Sequence, residues 1–145
     1  MFEIAVLLAV LAAACAYALW RRRTDGRLSP VGPRDGSADG SPGPRVDAGD
    51  LGHALGEKAT LVQFSTAFCQ PCRATRRILD DVASAVPGVE HVEVDAESRL
   101  DLTRRLRVLR TPTTFVLDAD GRVVRRATGS PRKEDVLAAL EETVA

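Results

Sequence analysis

Cysteine is scarce in this chain of 145 residues, which has only Cys15, Cys69 and Cys72. A small odd number excludes the disulfide framework of a small secreted protein and fits one reactive pair plus a bystander. Histidine is scarcer, with His53 and His91 isolated from each other. A structural zinc site needs four Cys or His ligands, and an iron–sulfur cluster fails on the same count, so no metal is expected. Excess charge is also missing. Twenty Lys and Arg balance twenty Asp and Glu, which removes any global pull toward nucleic acid or anionic lipid. Lysine occurs only at Lys58 and Lys133. With the heavy use of Arg, Ala, Val and Gly, this has the composition of a GC-rich bacterial genome. No internal repeat and no nucleotide-binding motif is visible, so no cofactor is expected. The length leaves room for one ordinary domain.

What the chain does have begins with an uncharged run from Ile4 to Trp20. As a helix it spans about 25 Å, enough for a slightly thin bilayer. Tyr17 and Trp20 lie at its end, where interfacial aromatics belong, and Arg21-Arg22-Arg23 stops it. A cleaved signal peptide wants a positive start, and this chain starts Met1-Phe2-Glu3. A lipoprotein site at Cys15 fits poorly, because Ala12 stands three residues before it and the run stays apolar beyond it. The expectation is a single-pass anchor over residues 1–23, with Cys15 a small apolar residue of the helix. Positive charge on the C-terminal flank alone places the rest of the chain in the cytoplasm; the extracytoplasmic face is the alternative. Residues 24–45 are rich in Gly, Pro, Ser and Asp and are expected as a disordered linker. A folded domain is expected over residues 46–145.

Within that domain, Asp50–Leu55 predicts a short helix and Thr60–Ser65 a buried strand. Arg73–Val86 is amphipathic, with Ile78, Leu79, Val82 and Val86 on one face. Val89–Asp95 alternates as a strand does, and Arg99–Arg107 predicts a helix with Leu102 and Leu106 inward. Thr113–Leu117 and Arg122–Arg126 flank Asp118-Ala119-Asp120-Gly121 as a hairpin. Ser130 is placed to cap a last helix, with Pro131 in its first turn and Val136, Leu137, Leu140 and Val144 inward. The order predicts an α/β fold, a mixed sheet covered by helices.

The stretch Phe68-Cys69-Gln70-Pro71-Cys72 lies between the first strand and the long helix. A thiol there meets the free N–H groups and positive dipole end of the helix, which favour the nucleophilic thiolate. Cys72, one turn later, is within reach of a disulfide. Pro71 suits the helix's first turn, where an N–H is dispensable. Together with Thr111-Pro112-Thr113, Val94-Asp95, Asp120-Gly121 and Gly129, this resembles the thioredoxin family over roughly Val46–Val144. The resemblance implies a thioredoxin-like fold. It implies that Cys69 is the attacking nucleophile and Cys72 the resolving thiol. It further implies a cis bond at Thr111–Pro112, with Pro112 binding substrate and the Thr111 backbone pairing with it.

The departures from the family are specific. Phe68 stands where thioredoxins usually have Trp and is expected to keep an apolar lid. Gln70 replaces the Gly of the usual Gly-Pro pair, and the retained Pro71 leans toward the reducing members. Gln63 occupies the position of a buried Asp that relays protons, and His91 that of a Lys which pairs with it. Gln cannot exchange a proton. Either His91 takes over as a proton relay, its ordinary pKa being near neutrality, or it packs and hydrogen-bonds at the strand edge. Arg73, Arg76 and Arg77 are expected on a solvated helix face, and Arg104, Arg105, Arg107 and Arg110 on the surface.

The expected function is a membrane-tethered thiol–disulfide oxidoreductase that reduces protein disulfides. Its expected partners are disulfide-containing proteins, a thioredoxin reductase or membrane electron donor, and the membrane, with no nucleic acid. The alternatives are a non-catalytic adaptor for a membrane partner, or a reductase for metal or haem-site maturation.

Overall fold

In the computed structural model, residues 1–31 and 43–145 are described. Helix α1 (Phe2–Thr24) comes first, followed by strand β1 (Ser29–Pro30), α2 (Ala48–Leu51), β2 (Ala59–Ser65), α3 (Gln70–Ala85) and β3 (Val89–Asp95). Then come α4 (Leu100–Arg105), β4 (Thr113–Asp118), β5 (Val123–Thr128) and α5 (Lys133–Val144). The sheet order is β1-β5-β4-β2-β3, with β2 and β3 parallel and the other pairs antiparallel. The mixed sheet expected from the element order is present.

Central β2 is buried along its whole length, and its alternate side chains feed two cores. Val62 and Phe64 pack with Val92, Val94, Phe115 and Leu117 on the side of α2 and α4. Ala59 and Leu61 pack with Leu79, Val82, Val116 and Val136 on the side of α3 and α5. This period-two division makes a three-layer arrangement. Of the four residues expected on the inner face of α3, Leu79 and Val82 are buried, while Ile78 and Val86 are partly covered.

The hairpin turns as expected. The Asp118 carboxylate accepts from the amides of Asp120 and Arg122 at 2.9 Å each, and Gly121 takes the left-handed φ of 79°. Arg126 secures the end of α4, donating to the carbonyls of Leu106 and Arg107 at 2.9 and 2.6 Å.

Three elements differ from expectation. The first helix of the domain lies earlier, because Asp47 and Asp50 form a reciprocal capping box and Gly52 ends it at a φ of 65°. Ser130 does not cap α5, which starts at Lys133 after Arg132; its hydroxyl is turned toward α3 instead. The expected linker over 24–45 contributes to the sheet at both ends, and its residues 32–42 lie outside the described residues. At one end, Ser29 and Pro30 pair with Arg126 and Arg125, and the Gly26 amide donates to Thr128 O at 2.8 Å. At the other, Arg45 bridges to Arg122 and the Val46 amide donates to Gly121 O. β5 would otherwise expose its outer row of backbone groups, and a two-residue strand containing Pro suits such an edge.

α1 is long and apolar enough to cross a membrane, by length and composition, and none of its residues is buried. Tyr17 and Trp20 are in contact near its C-terminal end, with ring centroids 6.0 Å apart.

Candidate functional site

β2 ends at Ser65 and α3 begins at Gln70, so residues 66–69 form the junction where the chain reverses. Cys69 is the residue preceding the 16-residue α3, and its sulfur accepts from the Cys72 amide at 3.2 Å. Cys69 and Cys72 are joined in a disulfide, with Cα atoms 5.2 Å apart. Their exposure differs: Cys69 is partly exposed, whereas Cys72 is 2% exposed. An incoming thiol or disulfide therefore reaches the Cys69 sulfur first. Pro71 lies in the first turn of α3.

The Thr111–Pro112 bond is cis. Thr66, three residues before Cys69, is hydrogen-bonded through its hydroxyl to that of Thr111 at 3.2 Å. The Gly129 amide donates to Pro112 O at 2.8 Å. These two bonds fix the proline loop between the cysteine loop and the end of β5.

Behind Cys72 lies a buried polar group that sequence reading located only in part. Gln63 is fully buried, and its amide nitrogen donates to Cys72 O at 2.8 Å. Gln63 thus braces the first turn of α3. Its register neighbour on β4 is Thr114, also fully buried; neither Gln63 Oε1 nor Thr114 Oγ1 has a protein hydrogen-bond partner. Thr75 donates to the Ser130 hydroxyl at 3.1 Å, and Ser130 reaches Pro71 O at 3.5 Å. Ser130 therefore ties the loop before α5 to the cysteine turn. A polar residue one turn beyond Cys72 was the available signal for Thr75; none marked Ser130 as its partner.

Two further expectations change. Phe68 is 99% exposed and does not cover the disulfide. His91 binds Asp80 of α3, with Nδ1 and Oδ1 2.5 Å apart, and its side chain is 5% exposed. Asp80 is eight residues beyond Cys72, about 12 Å along the helix. Asp80 and not a cysteine is the partner of His91, so the geometry favours the packing reading over the relay.

Glu93 lies opposite Gln63 on β3. It accepts from Ser65 Oγ at 2.7 Å and from both Nε and Nη2 of Arg76. Arg76 is thus held in place, unlike Arg73 and Arg77, for which exposure alone is seen. The Arg76 guanidinium holds the Glu93 carboxyl below the usual carboxylate range; burial opposes this and the Ser65 hydroxyl assists it. A depressed carboxylate stabilises the fold above its unfolded pKa, about 4.3, and loses that contribution as pH falls through the folded value. Glu93→Gln is therefore expected to be less stable than the parent at neutral pH, by no more than about 1 kcal/mol for so exposed a pair. Denaturant midpoints measured from pH 7 to pH 2 should converge at the acid end. A gap that does not change with pH would refute this assignment.

A mixed sheet between helices, a cysteine pair at the first strand–helix junction and a cis-proline loop beside it define a thioredoxin-fold protein with a disulfide at its site. The chain belongs to the thioredoxin-like domain family, which matches residues 53–143. It is 33% identical over 88 residues to thioredoxin H-type 1 of Nicotiana tabacum, covering 61% of this chain and 65% of the relative. It is 27% identical over 88 residues to a thioredoxin of Mycobacterium tuberculosis, covering 60% and 75%. The chain spans less than two thirds of the tobacco relative and 62% of a rice thioredoxin H2-1. Among solved structures, a thioredoxin mutant from Halobacterium salinarum superposes with a TM-score of 0.56 at 16% identity, covering 61% of this chain and 77% of that one. Thioredoxin F from spinach chloroplast gives 0.54 at 22%, covering 62% and 80%. At such identities the likeness speaks for the fold alone.

Proposed function

We propose that the protein is a membrane-tethered thiol–disulfide oxidoreductase that reduces protein disulfides. The observation that carries this reading is the asymmetric pair: an accessible Cys69 at the start of α3, bonded to a buried Cys72. In the reduced enzyme the Cys69 thiolate attacks one sulfur of a substrate disulfide. A Cys69–substrate disulfide forms, and the other substrate sulfur leaves as a thiolate and takes up a proton. Cys72, deprotonated, then attacks the Cys69 sulfur. The second substrate thiolate leaves, and the enzyme's disulfide is restored. Two electrons have passed to the substrate, and a dithiol donor must return them. A thioredoxin reductase or a membrane electron carrier fills that role.

Pro112 and the Thr111 backbone are assigned to substrate binding, since the Thr66–Thr111 contact holds them next to the cysteine loop. The uncharged run within residues 1–23 supports an anchor, and the positive charge of Arg21–Arg23 on one flank alone supports a domain on the cytoplasmic face. Arg76 and Glu93 shape the shallow recess beside the site together with Ser65, Thr66, Ala67 and Asp95.

The test is disulfide reduction in detergent micelles with excess dithiol donor and a disulfide-bonded protein held in the same micelles as substrate. The parent should accelerate reduction and Cys69→Ser should fall to the donor-only rate. A parent no faster than the donor alone would favour the adaptor reading instead.

A further inference from the structure

The membrane helix leaves the domain at its redox end. β1 runs antiparallel to β5, so its start lies beside the end of β5 at Thr128–Gly129. That end of the sheet also carries Ser65 of β2, the Cys69 loop and Thr111–Pro112. The junction is tightly made. Arg110 pairs with Asp25, and the Gly26 amide donates to Thr128 O. A Cβ on Gly26 would lie 1.9 Å from Ser130 O, and one on Gly129 would lie 2.7 Å from the Asp25 carboxyl. Domain and helix therefore meet without room for a spacer.

The depth of this contact follows from its lining. Arg110 shares a recess with Tyr17, Ala18, Arg21 and Arg22 of α1. The loop before Pro112 thus lies alongside the last two turns of the helix. Tyr17 and Trp20 are the residues an interfacial aromatic belt would use. With these at the headgroup level, Arg110 is at that level too.

Two large apolar side chains stand exposed at the same end: Leu109 at 92% and Phe68 at 99%. They flank the cis-proline loop and the disulfide respectively. Arg21, Arg22 and Arg23, all exposed, bring positive charge to the junction, suited to anionic headgroups. Resting on the membrane-anchor reading above, we propose that the redox end of the domain lies on the lipid surface. Leu109 and Phe68 enter the boundary between headgroups and acyl chains. The disulfides such a site meets are those carried at the membrane surface.

The test uses the full chain in vesicles of phosphatidylcholine and phosphatidylglycerol whose acyl chains carry bromine, a contact quencher of indole fluorescence. Trp20 is the native chain's only tryptophan, so its quenching in the parent reports insertion of the anchor. Leu109→Trp is then placed in a Trp20→Phe background. Ala119→Trp in the same background is the control; it is exposed at the hairpin tip, at the far end of the sheet. The fluorescence lost by Leu109→Trp should exceed that lost by the control at least threefold, with a blue-shifted maximum. Equal, weak quenching of the two, with Trp20 quenched in the parent, would overturn the proposal and leave the anchor standing. An unquenched Trp20 would overturn both.

Discussion

Cys72→Ser, reduced and mixed with a disulfide-bonded substrate, should accumulate as a covalent adduct through Cys69, while Cys69→Ser should form none. The Cys69 sulfur is partly exposed at the start of α3, and Cys72 is 2% exposed behind it. Attack on a substrate disulfide needs an approach in line with the S–S bond, which only Cys69 offers. The first exchange therefore proceeds in Cys72→Ser. The second cannot, since a serine hydroxyl is no nucleophile toward sulfur at neutral pH. Turnover should drop to the donor-only background in both variants, and only one should trap substrate. Non-reducing gel electrophoresis with mass spectrometry of the adduct reads this directly. Equal trapping by the two variants would mean that exposure does not select the attacking sulfur.

The largest expected loss of stability is at Phe64. This ring is fully buried on central β2 and meets Phe115 edge-on, with centroids 5.6 Å apart and planes at 83°. Phe115 in turn carries the Arg126 guanidinium 5.2 Å above its ring. Phe64→Ala removes a large apolar side chain from a site walled by Val62, Val94 and Phe115. The cost of such a truncation is about 3–5 kcal/mol, and a buried aromatic pair adds about 0.5–1.5 kcal/mol beyond area alone. Domains of this kind have only about 5–15 kcal/mol in total. The urea midpoint in detergent should therefore fall by about a fifth or more, with the slope unchanged. A loss under about 1 kcal/mol would show that the core relaxes into the space.

The variants differ in how far sequence alone could have proposed them. The cysteine pair was legible because its setting is local: a buried apolar strand, a short junction and an amphipathic helix follow one another in the chain. Val89–Asp95 was legible to the residue, because alternation with β-branched side chains is a strand's own signature. Helix starts were less so. The pattern of apolar residues marks the long helix only from Arg73, and Pro71 was the one sign of an earlier first turn; α3 starts at Gln70, with no core residue before Cys72. The first short helix starts two residues and ends four residues earlier than expected, because a capping box between two aspartates sets its start and Gly52 its end.

The polar partners behind the cysteines were not legible, since each joins residues far apart in sequence. Gln63 stood out as an unusual residue at an expected position, yet its bond to Cys72 O depends on how α3 packs over β2. Thr114 and Glu93 come to the same place only through the register of β2 with β4 and β3. His91 finds Asp80 because its strand position points toward α3 two turns below the site.

By itself the sequence determined the element order from the first helix of the domain onward, the cysteine pair at the head of a helix and the apolar N-terminal helix. These rest on periodicity and adjacency, which a one-dimensional pattern carries. Only the tertiary structure decided that Asp25–Val31 closes the edge of β5 instead of trailing as a linker. Nothing in Gly, Pro and Ser composition reveals an open strand edge a hundred residues away whose backbone groups need partners.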